Sequence, residues 1–167
     1  MAASSMATNV VMTPAMPAQR SRSRQRFMAD PLEFRLWLPR TRQCIFNAWT
    51  IPEYIELWSN TEQDSDVRVE ADLCAGMLLL VAQKDDVTLY RIEGAYVEFE
   101  EPSRIVLTWV FESAEARWDS VVQVDFEDVT DGTVLRIAQS NICRPEHREM
   151  QERWWQPRLE RMKALLS

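Results

Sequence analysis

The sequence predicts an α+β domain: a curved antiparallel β-sheet wrapped around one long C-terminal helix, with two short helices after the first strand. Two observations carry this. Between Arg91 and Ser140 apolar residues alternate through four runs separated by turn signals, and from Pro145 to Leu166 the period changes from two to helical. The inner stripe of that helix is Trp155, Leu159, Met162 and Leu166. A bent sheet beneath a single helix encloses space, so an apolar pocket between the two is expected.

The elements follow in order. Residues 1–27 are rich in Ala, Ser, Met and Arg, contain no acid, and are interrupted by Pro14 and Pro17. Such a stretch lacks the continuous apolar core of a secretory signal and is expected to be disordered. Its composition is shared with organelle transit peptides; the simpler reading is a leader before a true start at Met28, and so a single domain over 28–167. Glu33 to Leu38 alternates as a half-buried strand, with Phe34, Leu36 and Leu38 on one face, and Pro39 ends it. Thr41 can cap a short helix whose apolar face is Cys44, Ile45, Ala48 and Trp49, and Pro52 opens a second helix reaching Leu57 and Trp58. Ser59 to Asp66 reads as a loop. Val67–Ala71 and Met77–Ala82 read as strands turning near Gly76, and Lys84-Asp85-Asp86 is the next turn. Val87 to Phe99 is long for one unbroken strand, and Gly94 is expected to mark a bulge. After the Glu101-Pro102-Ser103 turn, one strand faces inward with Ile105, Leu107, Trp109 and Phe111, and the next with Val122, Val124 and Phe126. Asp131-Gly132 signals a hairpin, and the last strand turns Leu135, Ile137 and Gln139 inward.

Composition narrows the function. The chain has 167 residues and a formal charge of −7, yet Arg20, Arg22, Arg24 and Arg26 all precede Phe27, so the domain itself is more acidic than the whole. An acidic surface repels phosphate, which argues against nucleic acid and against anionic membranes. The longest apolar run, Met77 to Ala82, is far below the roughly 20 residues a membrane-spanning helix needs. Cys44, Cys74 and Cys143 are odd in number, widely spaced and without a CxxC pair, so they read as reduced thiols of a cytoplasmic protein rather than as metal ligands or disulfides. Three glycines leave no phosphate cradle, and no GxxxxGK, GxGxxG, HExxH or GxSxG occurs. No cofactor or metal is expected, and no catalytic residues are assigned.

Several ordered blocks then bear on family: Phe46-Asn47-Ala48-Trp49-Thr50-Ile51-Pro52, the run from Gly94 to Trp109, Asp131-Gly132-Thr133-Val134-Leu135, and Trp155 with Leu159 and Met162. Together they resemble the START-like, helix-grip (SRPBCC) superfamily and, more narrowly, the family named after the activator of the heat-shock 90 chaperone ATPase. The resemblance covers about Glu33 to Leu166. It implies an apolar cavity between sheet and terminal helix, and functions that range from lipid or polyketide binding through polyketide cyclisation to stimulation of an Hsp90-type chaperone. The chain departs from the family's pattern at Ile51, at Leu57-Trp58-Ser59-Asn60, at Gln139 where His is common, and at Trp154 where Gly is common. The indole at Trp154 is expected to shrink the cavity.

The candidate ligand-binding set is therefore Trp49, Trp58, Tyr96, Trp109, Phe111, Val124, Phe126, Ile137, Gln139, Trp155, Leu159 and Met162. Pockets for small molecules are mainly apolar with a few placed polar groups. The same residues would equally serve as plain core packing. Gln139 and Tyr96 are the polar groups expected nearest the cavity. His147, the one histidine, lies between Glu146 and Arg148 at the start of the terminal helix and reads as solvated. The leading expectation is a non-catalytic domain that binds a small hydrophobic molecule. A chaperone partner is the alternative, and a cyclase-like or hydrolase-like enzyme the third.

Overall fold

Ten elements alternate around one sheet in the computed structural model, which describes residues 29–62 and 66–167. The expected leader, 1–27, lies outside the described residues. Strand β1 (Leu32–Leu38) is followed by helices α1 (Arg42–Thr50) and α2 (Pro52–Ser59), then β2 (Asp66–Asp72), β3 (Met77–Lys84), β4 (Val87–Glu100), β5 (Arg104–Ser113), β6 (Arg117–Val129), β7 (Gly132–Ser140) and the long α3 (Pro145–Leu166). The strands form one antiparallel sheet in the order β1-β7-β6-β5-β4-β3-β2.

Period-two alternation places one face of each strand inside. In β5 Ile105, Leu107, Trp109 and Phe111 are buried, and in β6 Val122, Val124 and Phe126. The two-residue turn between β3 and β4 holds Asp85 and Asp86 at φ 51° and 63°, the left-handed conformation that a tight hairpin of right-twisted strands requires. Between β6 and β7 the turn is Thr130-Asp131, with Asp131 at φ 65°, while Gly132 already pairs with Val129. Gly132 is needed for another reason: a Cβ there would stand 2.3 Å from the carbonyl oxygen of Leu38, where β1 passes. Gly94 likewise is not the bulge expected of it. The register shifts later, between Tyr96 and Glu98, and a Cβ at Gly94 would meet the Thr108 carbonyl oxygen at 2.7 Å. Both glycines mark close backbone approach.

The helices close the concave face. Thr41 caps α1 by accepting from the Cys44 N–H, and Pro52 begins α2 where its missing N–H costs nothing. Helix α1 buries Ile45, Phe46, Ala48 and Trp49 but leaves Cys44 exposed, so the apolar face is turned by one position from the expected one. Glu56 accepts the Val69 N–H at 2.8 Å and ties α2 to β2 at the sheet's edge. Helix α3 runs unbroken through Pro157 and buries Gln151, Trp154, Trp155, Arg158, Leu159 and Met162, a stripe at three- and four-residue spacing. Among the described residues no helix is long and apolar enough to cross a membrane.

Candidate functional site

Trp155 is the hub of the interior. Its ring stacks on Trp109 at 5.5 Å, Trp49 at 5.9 Å and Trp58 at 6.4 Å between centroids, so one indole of α3 meets β5, α1 and α2 at once. Its Nε1–H donates to the Gln139 Oε1 at 2.8 Å. The Gln139 amide nitrogen donates in turn to Ser120 Oγ at 2.8 Å and Gln151 Oε1 at 2.9 Å, and Ser120 donates to the Trp109 carbonyl. The buried amide thus finds its partners within the protein. Phe111 stacks on Trp118 at 4.3 Å, and Phe126 meets Phe46 edge-on. Of the predicted set only Tyr96 is not fully buried.

The predicted residues are therefore brought together, but the open hollow expected among them is not there. Trp49, Trp58, Tyr96 and Trp109, with Ile55, Leu78, Leu80, Ile105 and Leu107, wall a void of only about 10 Å³. Small-molecule pockets run to about 300 Å³ or more. Side-chain volume is the reason: indoles from three helices and β5 meet at the centre, and Trp154, where the family commonly has glycine, packs edge-on against both Trp109 and Trp155. Val124, Ile137 and Leu159 serve the same packed core.

Trp49, Tyr96 and Trp109 each carry a buried polar atom without a hydrogen-bond partner, Trp49 Nε1, the Tyr96 hydroxyl and Trp109 Nε1, while the surface they turn to the void is almost wholly apolar. Such a group buried unpaired costs about 1–3 kcal/mol. Burial also pushes the Tyr96 phenol up to about 12, because the site disfavours its charged form.

A larger space lies outside. Between α1, α2 and the last turn of α3 is a cleft of about 510 Å³, walled by Cys44 and Asn47, by Tyr54, Leu57 and Trp58, and by Met162, Leu165 and Leu166. Tyr54, Leu57 and Leu165 are each close to half exposed. Trp58 and Met162 belong to the predicted set; the rest of the wall was not predicted. Trp58 walls both the cleft and the inner void, and is held in place by donating to the Ala48 carbonyl at 2.7 Å and by its ring 5.0 Å from Trp49.

Two further features escaped the sequence reading. Arg158 is buried, donating to the Tyr90 hydroxyl at 2.6 Å and the Trp154 carbonyl, with its guanidinium 4.1 Å from the Trp154 ring centroid. Helical spacing from Trp154 could have signalled it, since i and i+4 share a face. His147, expected in solvent, is half-buried and stacks on Trp118 at 4.4 Å. Among the described residues no three His, Cys, Asp or Glu side chains gather as a metal site.

An antiparallel sheet gripping a C-terminal helix, with paired short helices after its first strand, defines a START-like, helix-grip protein. Structures of the same fold bear this out. A protein from Chromobacterium violaceum superposes with a TM-score of 0.70 at 20% identity, over 83% of this chain and 98% of that one. An HSP90 activator from Plasmodium falciparum gives 0.53 at 23% identity, over 68% and 74%. A protein of the dynemicin biosynthetic locus gives 0.65 at 16%, over 83% of this chain and 47% of its own. The chain belongs to the family described as activator of Hsp90 ATPase homolog 1-like protein, whose profile matches residues 39–167. No curated protein is detectably similar to it in sequence.

Proposed function

We propose that this domain binds a small apolar molecule in the cleft between α1, α2 and the end of α3. One observation carries the reading: an apolar cleft of about 510 Å³, within the roughly 300–1,000 Å³ of small-molecule sites, presents Tyr54, Leu57 and Leu165 to solvent, whereas the centre is filled. Polar groups at its edge are few, with Thr41, Gln43 and Asn47 all on or beside α1. Asn47 and Gln43 bond each other, and Gln43 also reaches Glu101, so the rim is pre-organised. Titrating tetralin, a bicyclic hydrocarbon, while following the methyl resonances of Leu57 and Leu165 tests it. Saturable shifts at both leucines are expected; shifts that stay linear and weak to the solubility limit sink the reading.

A second reading is favoured by the family and by the HSP90 activator among the similar structures: the same cleft edge would contact an Hsp90-type chaperone. It predicts a changed chaperone ATPase rate on adding this protein. An unchanged rate removes it.

A further inference from the structure

We propose that β1 pairs edge to edge with β1 of a second copy of this chain, antiparallel about a two-fold axis at Phe34, so that Glu33 of each copy stands opposite the partner's Arg35. This surface shares no residue with the cleft and stands independently of it.

The sheet has two edges and treats them differently. At the β2 edge, Glu56 of α2 reaches over and accepts the Val69 N–H. At the β1 edge, Arg148 of α3 reaches only the carbonyls of Asp30 and Pro31, ahead of the strand. Which groups β1 leaves open follows from the register. Val129 and Gly132 close a two-residue hairpin and exchange both backbone hydrogen bonds. Along β7, therefore, Val134, Arg136 and Ala138 also turn their bonds to β6, while Thr133, Leu135, Ile137 and Gln139 turn theirs to Leu38, Leu36, Phe34 and Leu32 of β1. The backbone N–H and C=O groups of Glu33, Arg35 and Trp37 are left pointing outward, where no strand of the sheet lies. Such an open row is a template for another strand.

Charge complementarity makes a second copy the strand that fits. Identical strands pairing antiparallel do so about a two-fold axis, and here the bonds must fall on Glu33, Arg35 and Trp37, which leaves few registers. An axis at Arg35 sets Arg35 against itself, one at Glu33 sets Glu33 against itself, and one at Leu36 sets Arg35 against Trp37. With the axis at Phe34, Glu33 faces Arg35 twice. Both side chains are exposed, and neither forms an ion pair among the described residues. On the other face Phe34 meets the partner's Phe34, and Leu32 the partner's Leu36, along the groove of about 810 Å³ beside β1 and α3 where Phe34 and Leu36 are only half-buried. One pair further out, Trp37, 52% exposed, comes to the partner's Pro31.

Sedimentation equilibrium of the full chain over a concentration series tests it, and a reversible dimer is expected. Glu33→Arg and Arg35→Glu, both at exposed positions, should each weaken the dimer about tenfold or more, because each sets like charges opposite one another twice. The double variant Glu33→Arg/Arg35→Glu restores both opposite pairs and should regain most of the affinity; the two single variants, mixed, should also associate with each other. A parent chain that stays monomeric at every concentration overturns the proposal. So does a dimer indifferent to the single reversals, or one that the double reversal fails to restore. Hydrogen exchange decides without any variant: the amides of Glu33 and Arg35 should exchange several-fold more slowly in concentrated than in dilute solution, and equal rates overturn the pairing.

Discussion

Helix α3 carries one apolar stripe but meets two different partners. From Gln151 to Arg158 it faces the sheet, and there the inner stripe is enclosed: Trp154 and Trp155 interlock with Trp109, and Gln151 joins the Gln139–Ser120 network. From Met162 to Leu166 it faces α1 and α2 instead, and the packing opens into the cleft. Beneath the inner stripe the sheet offers a row of side chains at fixed spacing and leaves little room, while the groove of about 810 Å³ on the helix's flank beside β1 is rimmed by charged side chains, Glu33, Arg35, Glu152, Glu160 and Lys163. Two short helices joined at Ile51 meet α3 as separate rods, and rods leave a groove where they diverge. The proposed recognition surface therefore lies where the helix has left the sheet, not beneath the grip itself.

The sealed half breaks first and hardest. Trp109→Ala should cost about 3–5 kcal/mol in urea unfolding, because a 1%-exposed indole at the centre leaves a cavity its neighbours cannot fill. A loss of under about 1 kcal/mol would show the interior to be looser than the packing implies. Alkaline pH attacks the same region through Tyr96. Its folded pKa of about 12 exceeds the ordinary tyrosine value of roughly 10, so the stability it contributes is intact below about pH 10 and is lost as pH climbs to about 12. A rise of that size corresponds to about 3 kcal/mol at most, and Tyr96→Phe should unfold over a visibly shallower alkaline slope than the parent.

Gln139 sharpens the comparison from the polar side. Gln139→Leu keeps most of the volume but strands the Trp155 N–H and the Gln151 carbonyl oxygen, at a cost of about 1–3 kcal/mol by chemical denaturation. Adding Gln151→Leu should recover part of that loss, since removing both members of a buried pair is far milder than removing one. If the double variant is worse than the sum, the network does more than satisfy itself.

What the sequence disclosed and what it hid divide along the same line. Alternation in β5, β6 and β7 and the stripe of α3 report which face is inside, and each was legible because burial has a period. Filling has none. Whether Trp49, Trp58, Trp109 and Trp155 border a hollow or abolish it depends on the sum of their volumes against the curvature of the sheet, which no single residue encodes; Trp154 was the one hint. Gly94 and Gly132 read as bulge and turn because their contacts, Thr108 and Leu38, are distant in sequence. The cleft was invisible for a related reason. Leu57 and Leu165 sit off the apolar stripes and look like the scattered exposed leucines of any surface, until α2 and α3 bring them to one groove.

That groove makes the smallest change in stability and the cleanest change in binding. Leu57 is about half exposed in the last turn of α2, and Leu165 in the last turn of α3, so neither side chain contributes much to folding. A lysine at either place sits near a helix C-terminus, where a positive charge is favourable by a few tenths of a kcal/mol. Leu57→Lys and Leu165→Lys should therefore shift stability by no more than about 0.5 kcal/mol while lowering tetralin affinity at least several-fold, as a charge now borders the apolar wall. Calorimetric melting and the resonance titration are read on the same samples. Unaltered affinity in both variants would place the recognition surface elsewhere, and a large loss of stability would mean the end of α3 is as tightly built as its middle.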